Sequence, residues 1–218
     1  EADPGVLGEV TTADCFRHPS CETPIENVRP RFGVESGEHG YACAHALQSV
    51  APDVDLFLVR VNGLATLQNA VAWAIRHDID LISMSMSFYN SSFYDGTGPF
   101  DPPMRDLTAA GTLMVTSAGN SARQHWASPW LDTDADGRHD GEGDNGIAID
   151  LRAGGRRTVY LTWSEFGSCG DSDLDAVALD PEGFIVGRSV LDQDAAADTC
   201  SPVERLAIQA DVDGRYRI

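Results

Sequence analysis

The 218-residue chain carries 34 acidic and 15 basic side chains, a formal charge of −19, and so lacks the basic face that a phosphate backbone demands. That balance argues against a nucleic-acid partner, while an apolar content of 42% is enough to bury a core and argues against a disordered chain. No apolar run approaches the roughly 20 residues that cross a bilayer, and the N-terminus lacks the basic, apolar, small-residue order of a signal peptide, so Glu1 reads as an internal start. Every cation is Arg, a composition that fits GC-rich coding and a secreted or salt-tolerant surface and names no substrate.

In chain order, residues 1–37 are rich in Pro, Gly, Glu and Thr without a sustained period and read as an ordered surface loop. Ala42, Ala44, Ala46, Leu47 and Val50 then place small and apolar residues at helical spacing after His39, and Ala51-Pro52 ends them. Asp55 to Val61 is a buried strand, and Leu67, Ala70, Val71, Ala74 and Ile75 form the stripe of an amphipathic helix. Ile79 to Ser85 is the next strand, Pro103 to Ala110 a short helix, and Thr112 to Ser117 a third strand. Strands alternating with helices predict a parallel sheet, because parallel neighbours need a crossover and the helix supplies it. Ligands gather at the C-terminal edges of such strands, where Ser85 to Ser87 and Ser117 to Asn120 fall.

Beyond Gly146 the helical period gives way to short alternating segments at 147–151, 158–163, 174–179, 184–189, 206–210 and 216–218, separated by Gly, Asp and Pro turns. That pattern predicts a β-sandwich, broken off in mid-strand at Ile218. The expected division is therefore a partial α/β core at 1–131, an acidic linker at 132–145 and a partial sandwich at 146–218. Among the five cysteines, Cys15 with Cys21 and Cys169 with Cys200 are local enough to pair, which implies an oxidising compartment and leaves Cys43 free; the alternative is that all five are reduced.

Two stretches carry chemistry: Glu38-His39-Gly40-Tyr41-Ala42-Cys43-Ala44 and Thr116-Ser117-Ala118-Gly119-Asn120. They resemble the catalytic-histidine helix and the oxyanion-asparagine turn of the subtilisin-like serine peptidases, the subtilases. The resemblance covers residues 38–122 well. It implies a subtilisin-like parallel sheet with helices on both faces, followed here by an inserted, jelly-roll-like β-sandwich. It also implies that His39 is the general base and acid of acyl transfer and Asn120 the donor that stabilises the tetrahedral oxyanion. Ser83-Met84-Ser85-Met86-Ser87 is similar to the family's substrate-pairing edge, so Ser85, Met86 and Ser87 are the expected substrate-binding residues. Two departures stand out. Tyr41 replaces the Thr of the family's His-Gly-Thr, and Ser87 stands where Gly is usual, which narrows the entry to the primary specificity pocket. Cys43 lies one turn after His39, as in subtilases of the proteinase K type; a Cys43/His39 dyad is the rival reading, disfavoured because the thiol is expected to point into the sheet.

The other two landmarks of the family are not in view. Asp3-Pro4-Gly5 faintly echoes its Asp-Thr-Gly turn, but Pro4 removes a backbone donor there, and an orienting aspartate upstream of Glu1 is the preferred expectation. No Gly-Thr-Ser nucleophile turn occurs, so the serine is expected beyond Ile218 and the chain alone is expected to be inactive.

Asp132, Asp134, Asp136 and Asp140 occupy positions one, three, five and nine of an EF-hand-like loop with Gly137 at the sharp turn, an oxygen set suited to a structural Ca²⁺. The twelfth position is Gly143 instead of a bidentate acid, and the alternative is a solvated acidic linker. Asp171-Ser-Asp-Leu-Asp175, following Trp163, is similar to sandwich modules of bacterial extracellular peptidases and speaks to the domain more than to a site. His45, His77 and His125 lack ligand-spaced partners, which disfavours zinc. The resulting expectation is a secreted, monomeric serine endopeptidase acting on peptides or proteins. The alternatives are a catalytically dead peptide-binding relative, marked by Tyr41 and Ser87, and an acidic calcium-binding extracellular module.

Overall fold

A computed structural model describes residues 7–8, 10–26, 35–141, 146–166, 172–193 and 201–218, with only the backbone given for 35–38. Asp3, Cys169, Asp171 and Cys200, together with Gly143 at the loop's twelfth position, lie outside the described residues. The chain divides into two compact units, Glu1–Phe88 with Pro102–Gly119, and Tyr89–Asp101 with Asn120–Ile218.

The first unit is built on two parallel strand pairs. β1 (Thr11–Asp14) runs beside β2 (Phe57–Arg60) with Asp14 opposite Arg60, and β3 (Leu81–Met84) runs beside β4 (Leu113–Thr116) with Met84 opposite Thr116. α1 (Glu35–Val50) and α3 (Asp101–Ala110) are the crossovers that the two parallel pairs require, and α2 (Leu64–Arg76) follows β2 and precedes β3. α2 follows its apolar period closely: Leu67, Val71 and Ala74 fall on one face and are buried with Trp73. At its start the Thr66 hydroxyl accepts from the Asn62 and Gly63 N–H groups at 2.9 and 3.1 Å, capping donors the helix cannot satisfy itself. Ala13, Cys15, Cys21, Trp73 and Ala74 form the buried centre, with Phe57, Val59, Ile79 and Ile82 packed on it.

The loop expected over residues 1–37 is corrected in two places. Thr11–Asp14 is a strand, because β-branched Thr11 and Thr12 suit a pleated edge and β2 offers a partner that the polar sequence does not advertise. α1 begins at Glu35, so His39 stands in its second turn and does not open it. Cys15 and Cys21 are disulfide-bonded and Cys43 is free.

Asp14 is buried at the end of β1, and burial alone would push its carboxyl up. Hydrogen bonds from the Arg60 guanidinium and from the Arg17 and Phe16 N–H groups outweigh that cost and hold it below the usual carboxylate range. A carboxyl lowered in the folded state contributes stability that is complete above its unfolded pKa and lost as pH falls through the folded value. Stability should therefore decline below about pH 4, and Asp14→Asn should cost about 2 kcal/mol at neutral pH and flatten that acid limb, read by denaturant unfolding across pH.

The second unit is antiparallel. β5 (Ala148–Leu151), β10 (Gly214–Arg217), β7 (Ala176–Leu179) and β8 (Ile185–Ser189) form a four-stranded sheet in that order, and β6 (Arg156–Thr162) pairs with β9 (Val203–Gln209) as a ribbon. Leu151, Ala176, Ala178, Leu206, Ile208, Ala210 and Tyr216 make its core. The Tyr216 hydroxyl donates to the Val212 carbonyl at 3.0 Å, which satisfies the one polar atom of that buried ring.

Candidate active site

His39 projects from α1 as an exposed side chain, and its Nε2 lies 3.0 Å from the Ser85 carbonyl oxygen. A carbonyl only accepts, so in this arrangement Nε2 carries the proton and donates it. Ser85 is the first residue past β3, at the C-terminal edge of a parallel pair, and Ser85, Met86 and Ser87 are all exposed. The contact thus joins the imidazole to the edge strand at the end where α/β sheets collect ligands. The Ser117 N–H donates to the Met84 carbonyl at 3.2 Å and continues the β3–β4 pairing into this edge.

Cys43, one helical turn on, places Sγ 3.8 Å from the same nitrogen and is half-buried. The expected orientation is corrected here: the thiol meets the imidazole, because residues four apart on a helix share a face. Tyr41 is half-buried. Among the described residues no carboxylate contacts the His39 ring; the buried strand-end Asp14 is engaged by Arg60.

Gly119 has φ +82°, a left-handed conformation, and a side chain there would begin 3.4 Å from the Ser87 hydroxyl. Glycine therefore lets the chain turn off β4 beside Ser87 without strain. Asn120 follows as the first residue of the second unit, with its side chain exposed.

Within the second unit, the carboxylates of Asp132, Asp134 and Asp136 lie with one ligand oxygen each within 4.8 Å of one another. The loop is wrapped by its own backbone: Asp136 N–H donates to Asp132 and Asp134 at 3.1 and 3.2 Å, and Gly137 N–H to Asp132 at 3.0 Å. Ala135 and Gly137 take left-handed φ values of 58° and 80° to make the turn. Asp140 is outside this trio and accepts from the Thr133 side chain and N–H, hydrogen bonds that hold its carboxyl below the usual range. His139 packs edge-on against Trp126 at 5.0 Å and accepts from the Leu131 N–H at 3.1 Å, fastening the loop's far end.

Parallel strand pairs with crossover helices and an exposed histidine at their C-terminal edge give the first unit an α/β architecture. The sequence profile of the subtilase family, Peptidase S8, matches residues 25–145, more than half of the chain, and the chain belongs to that family. The family is one of serine peptidases, and the matched span contains His39, Ser85–Ser87, Asn120 and the acidic loop. A relative, the thermostable alkaline protease of Halalkalibacterium halodurans, is 33% identical over 81 residues, covering 34% of this chain and 21% of that protein. No solved structure matches the chain. None of the helices described is long and apolar enough to cross a membrane.

Proposed function

We propose that the chain supplies the general base, the oxyanion donor and the substrate-pairing edge of a secreted serine endopeptidase. The observation that carries this reading is the 3.0 Å contact between His39 Nε2 and the carbonyl of exposed Ser85. A peptide docking along Ser85 to Ser87 offers its own N–H groups to that edge. It thereby displaces the imidazole from Ser85, and with the ring proton moved to Nδ1 the freed Nε2 takes the proton of the nucleophilic serine and returns it to the leaving amine. The Asn120 amide donates to the oxyanion of the tetrahedral intermediate. Ser87 narrows the entry for the substrate side chain next to the scissile bond. Neither the nucleophilic serine nor the orienting aspartate is assigned among the described residues.

In this reading residues 1–131 belong to the peptidase core, 132–145 to a calcium-associated linker and 146–218 to an inserted β-sandwich; the antiparallel sheet and ribbon of the second unit support the last. Asp132, Asp134 and Asp136 would hold a structural Ca²⁺, with Asp140 joining on release from Thr133; the ion supplies loop rigidity and takes no part in bond breaking. The Cys15–Cys21 disulfide supports an oxidising, extracellular location, and the enzyme acts as a monomer.

The complete protein should hydrolyse casein and unstructured peptides and lose that activity to a sulfonyl fluoride. Binding of peptides without cleavage would instead favour the catalytically dead relative. Chelation with EGTA should lower its thermal midpoint by about 5 °C, and Asp134→Asn should remove part of that dependence; an unchanged midpoint would return the loop to a solvated linker.

A further inference from the structure

Strand β9 alternates strictly, with Glu204, Leu206 and Ile208 turned inward at 0%, 2% and 2% exposure. A carboxylate in phase with two core aliphatics is costly unless both of its oxygens are satisfied. Glu204 Oε1 accepts from the Leu191 N–H at 2.6 Å and from Gln193 Nε2 at 3.1 Å, but Oε2 is buried with no partner among the described residues. Gln193, 7% exposed, spends its amide nitrogen on Glu204 and on the Val203 carbonyl at 3.5 Å, and its Oε1 is likewise buried and without a partner among the described residues. Turning the amide over would set its oxygen against two acceptors, so the nitrogen is fixed on Glu204 and Val203 and the oxygen remains the orphan.

Two further acids face this pair from the segment entering β7. Asp173 accepts from the Gln193 N–H at 3.3 Å, and Asp175, desolvated and facing the charges of Asp173 and Glu204, has its carboxyl held above the usual range. Among the described residues none of the three acids forms an ion pair. A buried water would satisfy the two orphan oxygens but would leave the buried Glu204 charge uncompensated.

We infer that Glu204 Oε2, the Gln193 amide oxygen and the carboxylates of Asp173 and Asp175 form a cation site, distinct from the Asp132–Asp136 loop, that takes Ca²⁺. Mixed carboxylate and amide oxygens in an irregular array suit Ca²⁺, whereas Mg²⁺ demands a near-ideal octahedron and retains its waters. The ligand oxygens of the three acids are not yet as close together as those of Asp132, Asp134 and Asp136. Binding therefore draws exposed Asp173 and Asp175 toward buried Glu204 and Gln193 and ties the entry of β7 to β9.

The test reads folding, not hydrolysis, so it is independent of the peptidase reading. In the complete protein carrying Asp134→Asn and Asp136→Asn, which disable the loop, CaCl₂ added after chelator treatment should raise the thermal midpoint by about 5 °C at a hundredfold excess over Kd. Adding Glu204→Gln should abolish that shift without lowering the calcium-free midpoint, since it removes an uncompensated buried charge. Asp173→Asn, at an exposed position, should weaken Ca²⁺ binding about tenfold by calorimetry. No calcium shift in the loop-disabled protein, or a shift that survives Glu204→Gln, would overturn the proposal in favour of a buried water. If Glu204→Gln does not fold, Asp173→Asn decides alone, and unchanged affinity overturns it.

Discussion

In the complete protein, His39→Ala should lower kcat for peptide hydrolysis by about 10⁴-fold or more, on the order of 5 kcal/mol of barrier, with KM nearly unchanged. The split follows from where the imidazole acts. Its Nε2 sits at the head of the Ser85–Ser87 edge, so removing the ring leaves the strand that binds substrate intact and removes the group that moves the proton. Cys43, whose sulfur lies 3.8 Å from the same nitrogen, provides the control. As a neighbour without a role in bond making, it should tolerate Cys43→Ala within about fivefold, whereas a Cys/His dyad would lose activity as completely as His39→Ala does. Steady-state kinetics of the two variants on one peptide separate these outcomes.

Asn120→Ala should reduce kcat by about 10²- to 10³-fold, again with little change in KM; that range is the measured effect for the oxyanion asparagine of subtilisin, the type case of this stabilisation. The physical reason is that the ground-state carbonyl carries little charge, and the full value of the amide donor is realised only when the tetrahedral oxygen forms. Asn120→Asp should be at least as damaging, because it places a carboxylate where negative charge develops. A variant that raised KM and spared kcat would assign Asn120 to substrate binding instead.

The elements that were plain in the sequence are those whose side chains declare a period. α2 is such a case: Leu67, Val71 and Ala74 repeat at helical spacing and are buried as that spacing requires. β1 was hidden because Thr11 and Thr12 are polar, and because the group that makes Asp14 tolerable, Arg60, lies 46 residues away on a parallel neighbour. The first turn of α1 was hidden in the same way, since Glu35-Ser-Gly-Glu38 has the texture of a loop. Glu204 shows the opposite failure: it is in phase with Leu206 and Ile208, yet a carboxylate reads as outward-facing, so the strand was expected to begin only at Leu206.

The candidate site was legible to the extent that it is local. His39 and the Gly119-Asn120 turn lie in contiguous motifs, and the alternate spacing of Asp132, Asp134 and Asp136 is enough to bring their oxygens together. The pairing of His39 with the Ser85 carbonyl spans 46 residues and depends on α1 packing at the end of β3, which no local pattern records. Asp140 was grouped with the loop by spacing alone, and its engagement by Thr133 follows from a turn geometry that spacing does not specify.

The most direct measurement is fluorophosphonate labelling of the complete protein, wild type beside His39→Ala, with the modified residue located by mass spectrometry. A base that activates a serine predicts a single serine adduct in the wild type and a labelling rate lower by about 10³-fold or more in the variant. No adduct in the folded wild type, or equal labelling of both proteins, would contradict the assignment of His39 as the base of a serine peptidase.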